Sequence, residues 1–120
     1  MLPTGEGYFH AFLGVQLALE MGDAGIVREA VEVFLDELPT RLASITRAVS
    51  GADLEDVHEK AHALGSPALM LGATQLGQRC RSIEATTDMA SIRSLADELA
   101  VDSRLTDSAL RDYLTSTAGS

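Results

Sequence analysis

The chain has no tryptophan, one cysteine, three prolines, two tyrosines and three phenylalanines in 120 residues. With a single cysteine, Cys80, no internal disulfide can close, which suits a reducing, intracellular compartment. Cys80 follows Leu76 by one helical turn and precedes Ile83, so it reads as a small core residue, with a reactive thiol as the alternative. With so few aromatics the core must be aliphatic, and an apolar content of 46% is enough to build one. Runs of alternating β-branched residues are missing, so no strand can be read. No apolar run is long enough to span a bilayer. The opening Met1-Leu2-Pro3-Thr4-Gly5-Glu6-Gly7 lacks the basic-then-apolar order of a signal peptide. Positive charge is scarce as well: nine Lys and Arg stand against eighteen Asp and Glu, a formal net charge of −9. That balance excludes a nucleic-acid backbone and argues against an anionic membrane surface.

What is present favours helix. Leu, Ala, Glu and Arg dominate, and all are good helix formers. The length suits one small domain, whether the chain stands alone or is part of a larger protein. A first short helix is expected from about Tyr8 to Glu20, ended by Gly22-Asp23. The second carries Val27, Val31, Phe34, Leu35, Leu38, Leu42, Ile45 and Val49 at steps of three and four, with a kink expected at Pro39. Ser50-Gly51-Ala52-Asp53 forms a turn, and Asp53 is a good N-cap for the third helix. Gly72 separates that helix from a fourth with Leu76, Cys80 and Ile83 inward. The fifth begins near Asp88 and carries Met89, Ile92, Ala96, Leu99, Leu110 and Tyr113, although its middle, Asp102 to Thr106, is polar. Short connections between long helices mean antiparallel neighbours. The expectation is therefore all-α: an up-down-up-down four-helix bundle over residues 8–114 with a short extra N-terminal helix as a lid. Flexible ends are expected at 1–7 and 115–120.

The third helix holds the most informative residues. Leu54, Val57, Ala61, Leu64, Ala68 and Leu71 form its apolar stripe. His62 follows Ala61 and is turned from it by about 100°, which places it roughly 130° from the centre of the stripe. Glu55, His58, Glu59, Ser66 and Leu69 share its outward face. Gly65-Ser66-Pro67 interrupts the local pattern, and the helix either stops at Leu64 and restarts at Pro67 or continues with a kink. The unbroken phase of the stripe favours the continuous helix.

His58-Glu59-Lys60-Ala61-His62 matches the H-E-x-x-H zinc pattern. A zinc hydrolase would also need a third ligand and a cleft edged by a strand. Glu84 is the only plausible third ligand, and nothing in the pattern aims it at the pair. His62 is otherwise an ordinary surface histidine or one that meets another protein. His10 has no identifiable partner.

The stretch from Phe34 to Glu84 resembles a histidine-containing phosphotransfer (HPt) domain. The resemblance rests on Phe34-Leu35 with Leu38-Pro39, on Asp53-Leu54, on Ala61-His62-Ala63-Leu64, and on Leu71-Gly72-Ala73 followed by Leu76, Cys80, Ile83 and Glu84. It implies the same four-helix bundle. It implies His62 as phosphoacceptor, taking a phosphoryl group from the aspartyl phosphate of a receiver domain and passing it to another receiver. The partners so implied are receivers of response regulators or of a hybrid histidine kinase, docking around His58, Glu59, Gly65, Ser66 and Leu69. Leu69 is expected as an apolar docking contact. No cofactor or metal of its own is implied, since the Mg²⁺ comes with the receiver. Neither is autophosphorylation, and the chain is then a cytoplasmic phosphorelay intermediate, free or as the cytoplasmic part of a membrane-bound kinase. The sequence departs from the family's His-x-Leu-Lys-Gly-Ser pattern, with Gly65 at the lysine position, Ser66 at the glycine position and Pro67 next. Without that lysine, and with Glu55 and Glu59 on the same face, a phosphohistidine would sit in a negative field. On electrostatics alone, Gly65→Lys should raise phosphorylation. The same departures fit a degenerate interaction module that binds partners without accepting phosphate.

Overall fold

The computed structural model describes residues 24–118, which form four helices and no strand. They are α1 (Ala24–Ser50), α2 (Leu54–Met70), α3 (Thr74–Glu84) and α4 (Met89–Ala118). The first short helix expected at Tyr8–Glu20, the expected flexible N-terminus and His10 all lie outside the described residues. Each helix packs on the next, and α1 closes on α4. The turns between them are short, so neighbours run antiparallel. No described helix is long and apolar enough to cross a membrane.

The heptad-like spacing read from the sequence is what the core uses. Val31, Ile45, Val57, Leu64, Leu76, Ile83, Ile92, Leu99 and Leu110 are wholly buried. Pro39 lies on the exposed side of α1, which continues through it to Ser50. Asp53 caps α2 by accepting the Asp56 N–H at Oδ1, 3.1 Å away. Helix α2 is continuous through Ser66 and Pro67. At its end Gly72 takes φ 81°, a left-handed value that glycine adopts without steric cost.

Two features of helix α4 go beyond what its sequence pattern shows. Its polar middle does not weaken it, because Asp102 is buried and held by Arg79, whose Nε donates to Oδ2 at 2.8 Å. Gln75 donates to the other oxygen at 3.4 Å, so α3 satisfies the carboxylate from one side. The helix also runs to Ala118, past the point at Thr115 where a flexible end was expected. The Arg28 guanidinium donates to the Leu114 carbonyl at 3.0 Å and ties the start of α1 to this last part of α4.

Candidate functional site

The site lies where α2 faces α3. The two helices meet in one antiparallel register along their length. Leu69 lies against Gly77, Gly65 against Cys80, His62 against Glu84, and His58 against Thr86. Two glycines make the approach close. A Cβ on Gly65 would lie 2.9 Å from the Cys80 Cβ, and one on Gly77 would lie 2.5 Å from Leu69 Cγ and Cδ2.

His62 stands at the solvent edge of this contact, its side chain 60% exposed. Its Nδ1–H donates to Oε1 of Glu84 at 2.9 Å. A carboxylate can only accept, so this bond puts the proton of the neutral ring on Nδ1. The lone pair is then on Nε2, where the Ser66 hydroxyl makes a long contact of 3.5 Å. Glu84 sits lower in the groove, with its side chain 23% exposed, and its Oε2 lies 3.7 Å from Nε of Arg81. The outcome is an exposed imidazole with Nδ1 held by a carboxylate and the Nε2 lone pair met only by the long Ser66 contact.

Several residues expected at the docking surface are turned toward α3. Gly65 is buried and turned into the α2/α3 contact, not onto the surface. Leu69 is half-buried and packs over Gly77, so it is not a free apolar contact. The reason is the same in both cases: α3 comes near enough to cover that flank of α2. His58 is half-buried, and its Nε2–H donates to the Thr86 carbonyl at 2.7 Å, closing the end of α3. Glu59 is exposed and Ser66 half-exposed beside His62, as expected.

The H-E-x-x-H letters do not assemble as a metal site. His58 is committed to a backbone carbonyl and His62 to Glu84. Among the described residues, no three His, Cys, Asp or Glu side chains converge so as to hold an ion. Cys80 is wholly buried, and burial first, with the nearby Glu84 and Asp102 carboxylates adding to it, pushes its thiol up to about 12. It is a packing residue and not a nucleophile at neutral pH.

A family model for the Hpt domain matches residues 29–119. The chain belongs to the Hpt domain family. No curated protein and no solved structure gives a match. Membership assigns this Hpt domain a phosphotransfer role in two-component signalling, as an intermediate and not an enzyme in the usual sense, with receiver domains as its class of partner.

Two residues of the Hpt surface escape a reading of the sequence alone. Glu84 is seen there as part of the family pattern and as a possible metal ligand, but not as a partner of the His62 Nδ1–H, because its approach to His62 depends on how closely two helices pack. Met70 is the other. It is 86% exposed, about two turns beyond His62 and turned about 80° from it toward α1. The wheel already turns Met70 away from the apolar stripe, but only the covering of Leu69 by α3 leaves it as the large exposed apolar side chain at this end of α2.

Proposed function

We propose that His62 is the phosphoacceptor of a phosphorelay and that Nε2 is the reacting atom. The observation that carries this is the hydrogen bond from Nδ1–H to Glu84 on an otherwise exposed ring. In the forward step the Nε2 lone pair attacks the phosphorus of a receiver's aspartyl phosphate. The N–P bond forms as the bond to the aspartate oxygen breaks, and the carboxylate leaves with that electron pair. Attack puts positive charge on the ring, and Glu84 compensates it from the Nδ1 side while the proton stays between the two. The same charge makes the imidazole a good leaving group in the next transfer, to a second receiver's aspartate. The receiver brings its own carboxylates and Mg²⁺, and so the acceptor needs exposure more than it needs a pocket.

The docking surface in this reading is the rim around His62. Glu59 and Ser66 stand beside it, and Met70 lies further along α2. Gly65 and Leu69 shape the surface from beneath by setting the spacing of α2 and α3, and His58 does so by tying off α3. The setting is the cytoplasm, with the domain either free or joined to a hybrid kinase.

The test is incubation with a phosphorylated receiver. Acid-labile, base-stable label on the domain is expected, lost in His62→Gln and kept in His58→Gln. Label that survives His62→Gln would place the acceptor elsewhere. Tight receiver binding without any label would make the domain an interaction module instead.

A further inference from the structure

The electrostatics of His62 hold a conflict. The carboxylate that orients the ring also repels the phosphoryl group the ring must carry. The lysine of the His-x-Leu-Lys-Gly-Ser pattern is absent, and Gly65 has no room for a side chain. Glu55 and Glu59 add negative charge on the exposed face.

We propose that Arg81 resolves this conflict from α3 by cancelling the charge of Glu84, and so acts as a positioning residue that raises the phosphorylated fraction. The inference rests on His62 being the phosphoacceptor. Its geometry is already in place and needs no rearrangement. Glu84 uses Oε1 for His62 at 2.9 Å and turns Oε2 toward Arg81, whose Nε is 3.7 Å away. Oε2 is buried and accepts no hydrogen bond, so the Arg81 cation is its compensation. The cations on the neighbouring faces are committed elsewhere. Arg41 bonds to Glu37 and to the Ala63 carbonyl, Lys60 pairs with Asp56, and Arg79 pairs with Asp102 and Glu98. Among the described residues, Arg81 is the cation that an ion pair ties to the Glu84–His62 pair. The Arg81 side chain is 52% exposed, so replacing it leaves the core alone.

A double-mutant cycle separates this role from others. The quantity measured is the equilibrium ratio of phosphorylated to free domain against one receiver, for wild type, Arg81→Gln, Glu84→Gln and the double variant. Partly exposed ion pairs are weak, so Arg81→Gln should lower the ratio about two- to fivefold at low salt and less at high salt. Arg81→Lys should restore most of it. In the Glu84→Gln background the Gln oxygen still accepts from Nδ1–H, no charge remains to cancel, and Arg81→Gln should change nothing. An equal loss in both backgrounds would show Arg81 touching the receiver or the phosphoryl group directly and would overturn the proposal. So would no loss in either. A wild-type domain that never takes label would instead remove the phosphoacceptor reading itself, and this inference with it.

Discussion

Gly65→Ala is the most direct probe of the contact that positions His62. The added methyl carbon would sit 2.9 Å from the Cys80 Cβ. Two carbons prefer about 3.5 Å or more, so the helices must separate by roughly half an ångström. Cys80 cannot relieve this by changing rotamer, because its Cβ is bonded to the backbone. Overpacking of this kind costs about 1–3 kcal/mol. Alanine in a helix interior gains about 0.5–1 kcal/mol over glycine, which offsets part of the cost. The net expectation is a loss of about 1–2 kcal/mol, measured by urea unfolding followed by far-ultraviolet circular dichroism. Gly25→Ala is the control, since a Cβ there meets nothing within 4 Å. It should be neutral or slightly stabilising. Pairing Gly65→Ala with Cys80→Gly removes the opposing Cβ and should shrink the penalty. If Gly65→Ala proves as stable as the control, the close approach of α2 and α3 is not what requires glycine, and the argument fails. The same clash means that Gly65→Lys, attractive on charge alone, should destabilise the bundle before it can aid phosphorylation.

Removing the α2 cap by Asp53→Ala should cost about 1 kcal/mol in the same unfolding measurement, and an unchanged midpoint would mean the Asp56 N–H finds another acceptor. Cys80, buried and pushed up to about 12, should resist alkylation at pH 8 in the native protein and react promptly in urea. Rapid native labelling would contradict its burial. At the start of α4, hydrogen bonds from the Ser91 hydroxyl and N–H hold the Asp88 carboxyl below its ordinary value. Stability from that shift is present above the unfolded value and is lost as pH falls through the lower folded one. Ser91→Ala should therefore be destabilising near neutral pH, with the deficit shrinking in strong acid, and a deficit that stays the same at both ends would refute the assignment.

The parts of the fold visible in the sequence are those set by local period. The stripe from Leu54 to Leu71 identifies the buried face of α2, and Asp53 marks its start, because both depend on residues within a turn or two. The parts that escape are set by residues distant along the chain. The polar middle of α4 looks unfavourable until Arg79, packed from α3, is placed beside Asp102. Leu69 shares the wheel face of His62, yet one is covered and the other is not. A wheel gives direction from the axis of one helix and carries no information on how far round the neighbouring helix reaches. Here that reach is set by Gly77, a residue on the other helix.

The register of α2 against α3 joins packing to chemistry. Gly65 and His62 lie one turn apart on α2, and their partners Cys80 and Glu84 lie one turn apart on α3. The spacing that admits no Cβ at Gly65 is thus also the spacing that brings a carboxylate to Nδ1. Were the helices half an ångström further apart, a 2.9 Å hydrogen bond would lengthen toward 3.4 Å and lose most of its hold on the ring proton. Glycine at 65 therefore serves the site through the helix spacing alone. What it fixes is which nitrogen of His62 carries the proton, Nδ1 beside Glu84.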